Sequence, residues 1–306
     1  MTGQLCSFCP GEAVYLDRVT HEHLCDLHLA RRVEESVRAA IEAQGGLGSG
    51  ERVAVAFSGG KDSSVLLHLL ATVFRPRMEI DLVAITVDEG IAGYREETVR
   101  AARALATRLS VPHRVVTFEE AFGKNLDTLL IGREGRACTV CGVLRRLLLQ
   151  KAARDARADR LATGHCLDDE AESVVMNWLR GDLYRVAGIR PDGGEERMVR
   201  RIKPLSRLSE KEVVSYALLH DLASDLPECP YTRYAFRAGV RGLVHRAELI
   251  APGTMSRIVK GQEELEARLH GRVIPACLDT CPDCGEPVLG RACRVCGFLG
   301  ADRDNH

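Results

Sequence analysis

The 306-residue chain carries almost no excess charge of either sign: 42 Lys and Arg face 43 Asp and Glu, a formal net charge of −1. A uniform basic field that would draw it onto nucleic acid or an anionic membrane is therefore excluded, and any polyanion must be met by local patches. No apolar run approaches the roughly 18 to 20 residues of a membrane span. The first residues, MTGQLCSFC, lack the basic and apolar regions of a signal peptide, so a cytoplasmic protein without a membrane partner is expected. Internal repeats are lacking too, apart from two similar cysteine modules. Aromatic residues are scarce at 5%, but hydrophobic residues reach 45% and charged ones 28%. That balance excludes disorder for most of the chain and fills one large core plus small appendages, as two ordinary domains would.

Cysteine, by contrast, is plentiful, with 12 residues. In a reducing compartment that number argues for metal ligation or redox chemistry over disulfides. Cys6-x2-Cys9 with Cys25-x2-His28 near the start, and Cys281-x2-Cys284 with Cys293-x2-Cys296 near the end, are sets of four soft ligands in paired spacing. Such sets are closed structural zinc sites with no position left for water, so two architectural Zn²⁺ ions are expected. His21 and His23 compete with His28 on composition, but the x2 spacing from Cys25 favours His28.

Between the modules, a helical stretch over about 29–43 and a glycine-rich hinge (Gly45, Gly46, Gly48, Gly50) give way to alternating strands and helices. Apolar β-branched runs predict strands at 52–57, 80–87, 113–118 and 160–163, with helices at 96–109, 142–153 and 169–179. This reads as an α/β fold with a parallel, doubly wound sheet. Helices are expected to continue at 210–220, 237–249 and 262–270, after a surface loop at Asp192-Gly-Gly-Glu-Glu196. The chain divides on this reading at 1–30, 31–48, 49–205, 206–274 and 275–306.

The first strand, which ends near Ala56, runs into Ser58-Gly59-Gly60-Lys61-Asp62-Ser63 and then a helix. A glycine-rich turn at a helix N-terminus surrounds phosphate oxygens with N–H groups, and Lys61 adds a cation. The glycines lie too close together for the Walker pattern, which disfavours a P-loop kinase or GTPase. Further along, Cys138-x2-Cys141 is a half-site that by itself fits a redox dithiol or a zinc pair equally. Its best third ligand is Cys229 in Pro-Glu-Cys-Pro-Tyr231, with Cys166 not excluded on spacing. Asp168, Asp169 and Glu170 follow Gly164-His165 where a strand gives way to a helix, a ligand position in open parallel sheets and equally a place for N-capping. Arg180, Arg185, Arg190, Arg197, Arg200, Arg201 and Lys203, followed by Arg233, Arg237, Arg241 and Arg246, form a candidate track for the phosphates of a nucleic acid.

Ser58 to Ser63 resembles the pyrophosphate loop of the N-type, or PP-loop, ATP pyrophosphatases. Together with Cys-Thr-Val-Cys141-Gly, Asp88-Glu-Gly-Ile-Ala-Gly-Tyr94, Gly164-His-Cys-Leu-Asp-Asp-Glu170 and Met176-Asn-Trp-Leu-Arg-Gly-Asp182, it is similar over essentially the whole chain to the tRNA 2-thiouridine synthetases. The resemblance implies an adenine nucleotide α-hydrolase-like domain over 49–205 between zinc knuckles, with the third cluster cysteine in the 206–274 continuation. It implies ATP held by Ala56, Ser58 to Ser63, backbone from Ile85 to Asp88, and Gly164, with Mg²⁺ near Asp62 and Arg145 neutralising phosphate. It implies a [4Fe-4S] cluster on Cys138, Cys141 and Cys229, whose fourth iron is open to sulfur, and a proton or Mg²⁺ role for Asp169. Uridine C2 oxygen would pass to the α-phosphorus and sulfur would replace it as AMP leaves. Asp88 to Tyr94 resembles the branch acting on the wobble uridine, whereas the Cys25-x2-His28 ending resembles the T-loop branch; the wobble position is preferred. A persulfide relay without a cluster, and a non-thiolating ligase on the same loop, are the alternatives. The sulfur donor would be sulfide or a ubiquitin-like thiocarboxylate, and the family suggests a homodimer.

Overall fold

The computed structural model describes residues 4–188, 198–222, 226–232, 235–269, 279–285, 287–288 and 293–300. A short antiparallel pair, β1 (Tyr15–Leu16) and β2 (His23–Leu24), leads into α1 (Asp26–Ala43). Then come β3 (Arg52–Ala56), α2 (Lys61–Leu69), α3 (Arg75–Met78), β4 (Asp81–Asp88), α4 (Arg95–Arg108) and β5 (His113–Thr117). α5 (Phe118–Phe122), α6 (Leu126–Leu129), α7 (Ala137–Asp155), β6 (Arg160–Thr163), α8 (Leu167–Leu179) and α9 (Leu183–Val186) follow. β7 (Arg200–Ile202), α10 (Glu210–Leu219), α11 (Phe236–Ile250), α12 (Thr254–Leu269), β8 (Asp279–Thr280), β9 (Pro287–Val288) and α13 (Arg294–Leu299) complete the chain.

β3 to β7 form one parallel sheet in the order β5-β4-β3-β6-β7. The chain starts in the middle, builds outward through β4 and β5, then returns to lay β6 and β7 on the other side of β3. Its direction of growth reverses between β3 and β6, and ligands in open sheets gather outside the carboxyl ends of such a pair. Val53, Ala54 and Val55 have no exposed surface because helices cover both faces. α1 adds Leu29, Val33, Val37 and Ile41, at four-residue spacing on one side, to the same core. No helix among the described residues is long and apolar enough to cross a membrane.

The four expected strands are present within a residue or two of their anticipated ends. β7 was not anticipated: of its three residues only Ile202 is buried, and two arginines hide it in a basic stretch. Its flanks are closed by side-chain amides. Gln150 accepts from Val199 N–H at 2.9 Å and donates to its carbonyl at 3.1 Å, and Gln44 does the same for Lys203 at 2.8 and 3.2 Å. Helices α1, α7 and α12 begin earlier than expected, at Asp26, Ala137 and Thr254. The anticipated loop at 192–196, Arg190, Arg197 and Arg233 lie outside the described residues, as does Cys277.

Candidate active site and metal centres

Past Ala56, residues Phe57 to Gly60 turn the chain from β3 into α2. Gly59 has φ +88°, and a Cβ there would lie 2.3 Å from the Thr98 carbonyl oxygen of α4, so only glycine lets the loop rest on that helix. Gly60 is the extended N-cap of α2, with no side-chain cap to its first N–H groups. Ser63 folds back over the turn: its Oγ accepts from Ser58 N–H at 3.2 Å, donates to the Gly60 carbonyl at 2.9 Å and lies 3.1 Å from Ser58 Oγ. An uncapped helix start behind a small rigid turn is a ready anion site. Gly164, after β6, packs on the same spot, since a Cβ there would meet Asp62 C and Ser63 N at 3.1 Å.

Lys61 Nζ lies 2.8 Å from Glu210 and 3.3 Å from Asp62. Burial works against its charge, but the two carboxylates outweigh it and hold the ammonium above its ordinary value. Burial pushes the Asp62 carboxyl up despite Lys61, and its Oδ1 is buried with no hydrogen-bond partner. An orphaned carboxylate oxygen beside a phosphate loop fits Mg²⁺, a hard cation that takes few protein oxygens. Asp168, Glu210 and His245 converge nearby. There Asp168 accepts from Glu210 N–H at 2.7 Å and lies 3.3 Å from His245, and Glu210 serves Lys61, so both carboxylates are already engaged.

Cys166 caps α8. It forms a capping box with Asp169, whose Oδ2 accepts from Cys166 N–H at 3.1 Å. Burial, then the neighbouring Asp169, pushes its thiol well up, and its Sγ lies 3.5 Å from Asp169 Oδ2 at the start of α8. The capping anticipated for Asp168 belongs instead to Cys166 and Asp169. Ile85 also departs from expectation: it is fully buried in β4 with its carbonyl accepting from Phe57 N–H at 2.8 Å, which leaves Asp88 as the strand end near the surface.

Cys138 and Cys141 lie inside α7 and not ahead of it. Ala137, Val140, Cys141, Leu144 and Leu148 form its buried stripe, and sequence periodicity missed the first turn because a cysteine fills an apolar position there. Cys138 Sγ is 3.8 Å from the Tyr231 carbonyl, and Tyr231 Oη donates to Asp127 at 2.8 Å. These contacts pin the segment bearing Cys229, which packs with Tyr231 on the cluster containing Cys141. Burial pushes Cys141 up to about 11, with Arg145 opposing it, and burial with Cys229 nearby raises Cys138. Three thiols that influence one another electrostatically, one of them accepting from a guanidinium, are soft donors of the kind an iron–sulfur cluster takes.

That guanidinium is Arg145, whose Nη2 lies 3.2 Å from Cys141 Sγ and whose Nε lies 2.5 Å from Glu89. Arg145, expected at phosphate, stands here one helical turn from Cys141 and contacts both the thiol and Glu89. Glu89 is 1% exposed, also pairs with Arg95 at 2.8 Å, and was missed in the sequence because only the fold shows a charge to be buried. Arg95 in turn reaches the Ser58 carbonyl at 3.5 Å. Polar contacts thus run unbroken from the phosphate loop to the thiols.

In the first cysteine module Cys6, Cys9 and Cys25 Sγ lie 3.5, 3.6 and 3.1 Å from His28 Nδ1, and Cys9 and Cys25 are 3.6 Å apart. In the second, Cys281–Cys296 and Cys284–Cys293 are 3.7 and 3.6 Å apart. Tetrahedral zinc, with bonds of about 2.0 Å to nitrogen and 2.3 Å to sulfur, separates its ligands by roughly 3.5–3.8 Å, which the quoted distances match except the shorter Cys25–His28 one. His21 and His23 fall outside the first set.

The basic track is only partly a surface. Arg180 stacks over Phe236 at 5.0 Å, Arg185 pairs with Asp182 at 3.1 Å, and Lys203 with Glu170 at 2.5 Å. Arg200 and Arg201 sit on β7, and Arg246 bonds its own helix. Arg237 and Arg241 each place a guanidinium nitrogen 2.9 Å from the fully buried Glu172, with their side chains 34% and 48% exposed.

The PP-loop domain family matches residues 27–241. Among curated proteins, the tRNA 2-thiolation protein NcsA of Haloferax volcanii is 39% identical, covering 96% of this chain and 98% of its own. The cytoplasmic tRNA 2-thiolation protein 1 of Mus musculus is 38% identical over 98% of this chain and 73% of its own. A solved structure of the U34-tRNA thiolase NcsA of Methanococcus maripaludis, with its [4Fe-4S] cluster, superposes with a TM-score of 0.82 at 29% identity, covering 98% of this chain and 97% of that one.

Proposed function

The chain belongs to the PP-loop family of tRNA 2-thiolation proteins, and from that premise we propose that it spends ATP to activate the C2 oxygen of a tRNA uridine, which sulfur then replaces. The observation that carries this reading is the run of contacts Ser58–Arg95–Glu89–Arg145–Cys141, which ties a phosphate loop to a thiol cradle. A carbonyl oxygen is a poor leaving group until it sits on phosphorus, and sulfur must then arrive close by.

On this reading the loop from Ser58 to Ser63 and the start of α2 hold the pyrophosphate end of ATP, with Gly164 backbone alongside. Lys61 exchanges Glu210 for a phosphate oxygen, and Asp62 Oδ1 meets Mg²⁺. Asp169 stands near the base, as acceptor of the N3–H proton whose loss makes the C2 oxygen nucleophilic, or as a cation ligand. Cys138, Cys141 and Cys229 hold a [4Fe-4S] cluster, which when bound would supply an iron without a protein ligand as a place for sulfur. Arg145 donates to Cys141 and steadies its thiolate. The two cysteine modules, at 1–30 and 275–306, bind structural Zn²⁺, and 49–205 is the nucleotide domain. The remaining surface arginines meet the tRNA backbone. The protein works in the cytoplasm, as the name of its mouse relative implies, with sulfide or a thiocarboxylate carrier as donor, and as a homodimer.

The wobble uridine is favoured because the Methanococcus maripaludis relative is a U34-tRNA thiolase. The test is nucleoside analysis of tRNA after incubation with ATP, Mg²⁺ and sulfide: 2-thiouridine at the wobble position, with AMP and pyrophosphate formed, is expected. Thiolation confined to the T loop would move the target. Metal analysis of anaerobically purified protein should give about four irons and two zincs per chain. Two zincs without iron, even after reconstitution, would favour a persulfide relay, or a ligase if thiolation were also missing. Lys61→Ala should raise the KM for ATP roughly 10- to 100-fold, as expected for losing a charge-assisted contact to phosphate; unchanged pyrophosphate release would remove Lys61 from the site.

A further inference from the structure

We infer that Arg237 is a positioning residue that fixes Asp169 for the reaction; this rests on the reading of Asp169 given above. Asp169 stands at the third position of α8, with Oδ2 held by Cys166 N–H at 3.1 Å and Oδ1 only 3.2 Å from Arg237 Nη1. Arg237 comes from α11, a different element, and is itself over-determined: it reaches Glu172 at 2.9 Å, Ser173 Oγ at 3.1 Å and the Asp169 carbonyl at 3.4 Å.

Glu172 has no exposed surface, and an isolated buried carboxylate would be very costly, so it holds Arg237 and Arg241 as counter-charges. The rigid member of the group is therefore Glu172. Arg237 meets both carboxylates with one nitrogen, Nη1, while its Nη2 is tied to Ser173, and with Oδ2 held by Cys166 N–H this restrains the orientation of the Asp169 carboxylate. Such restraint matters for a group that must accept the uridine N3–H proton, or hold a cation, at bonding distance. Arg237 also lies eight residues after Cys229, so one continuous stretch of chain bears a cluster thiol and the clamp on the aspartate. The phosphate-track role expected of Arg237 is replaced by this one.

The experiment compares Arg237→Ala, Arg237→Lys, Asp169→Asn and the Arg237→Ala/Asp169→Asn double variant in single-turnover thiolation, with iron content, the KM for ATP and the Kd for tRNA measured alongside. Arg237→Ala should lose roughly 30-fold in rate, the scale of one charge-assisted hydrogen bond, with KM, Kd and iron content unchanged. Added guanidinium should restore part of that rate, because the side chain is 34% exposed and its site is open to solvent. Arg237→Lys should fall between the two. The double variant should be no slower than Asp169→Asn, as expected when one residue acts only through the other. Asp169→Asn with normal turnover would overturn the role of Asp169 and this inference with it. If Asp169→Asn is inactive but Arg237→Ala turns over normally, loses tRNA binding instead, or adds its full effect in the double variant, the positioning role alone falls.

Discussion

Cys229→Ala is expected to lose its iron and to thiolate tRNA at least roughly 100-fold more slowly than the wild type, beyond the 10- to 100-fold cost of losing an outer-shell partner of a metal site. ATP and tRNA binding should survive. The physical reason is where the three thiols come from. Cys138 and Cys141 share the first turns of α7, whereas Cys229 is brought in by Tyr231, whose carbonyl meets Cys138 and whose hydroxyl is tied to Asp127. Removing Cys229 leaves two thiols on a helix that remains folded around Ala137, Val140, Leu144 and Leu148. The folded protein should keep its melting temperature within the change caused by losing the metal, and both zincs. Cys138→Ala and Cys141→Ala should behave alike. Normal iron content and turnover in any one of the three would end the cluster assignment, and lost turnover with iron retained would point to a persulfide relay.

Gly59→Ala should be the most damaging single methyl group in the phosphate loop. The left-handed conformation at φ +88° costs an alanine about 1–2 kcal/mol, and the 2.3 Å approach to the Thr98 carbonyl adds a clash with backbone that α4 cannot relieve by rotating a side chain. Against a total stability of about 5–15 kcal/mol, that predicts either a clearly lowered melting temperature or a loop lifted off α4 with loss of ATP-dependent pyrophosphate release. Gly60, the next residue, supplies the contrast. It has φ −73° and its nearest contact to an added Cβ is Ser58 Oγ at 3.5 Å, so Gly60→Ala carries only the small cost of alanine at an N-cap and should lower melting far less than Gly59→Ala. Equal melting temperatures for the two variants would show that the loop does not lean on α4.

Much of this was legible in the sequence for identifiable reasons. Strands covered on both faces leave continuous apolar runs, which is why β3, β4 and β6 stand out, and paired x2 spacings of cysteine mark modules whose ligand atoms lie close enough to share one ion. The loop from Ser58 to Ser63 was readable because phosphate binding demands glycine and small polar residues in a fixed order. What escaped were relations between distant residues. Nothing local distinguishes Glu89 or Glu172, both buried, from the many solvated glutamates, or shows that Arg145, Arg237 and Arg241 meet them. Cys166 looked like a spare ligand because its spacing says nothing of the helix start it occupies. β7 was lost because three residues bearing two charges carry no period.

The two glutamines that close the flanks of β7 bear on how this molecule behaves when crowded. The outermost strand of an open sheet offers unpaired N–H and carbonyl groups, a template on which another chain can add. Here Gln44 and Gln150 consume both backbone groups of Lys203 and Val199 and leave only three strand residues between them, two of them arginines. A strand arriving from a neighbouring molecule would find too few free groups to zip along and two like charges to overcome, so this side of the sheet is guarded against aggregation.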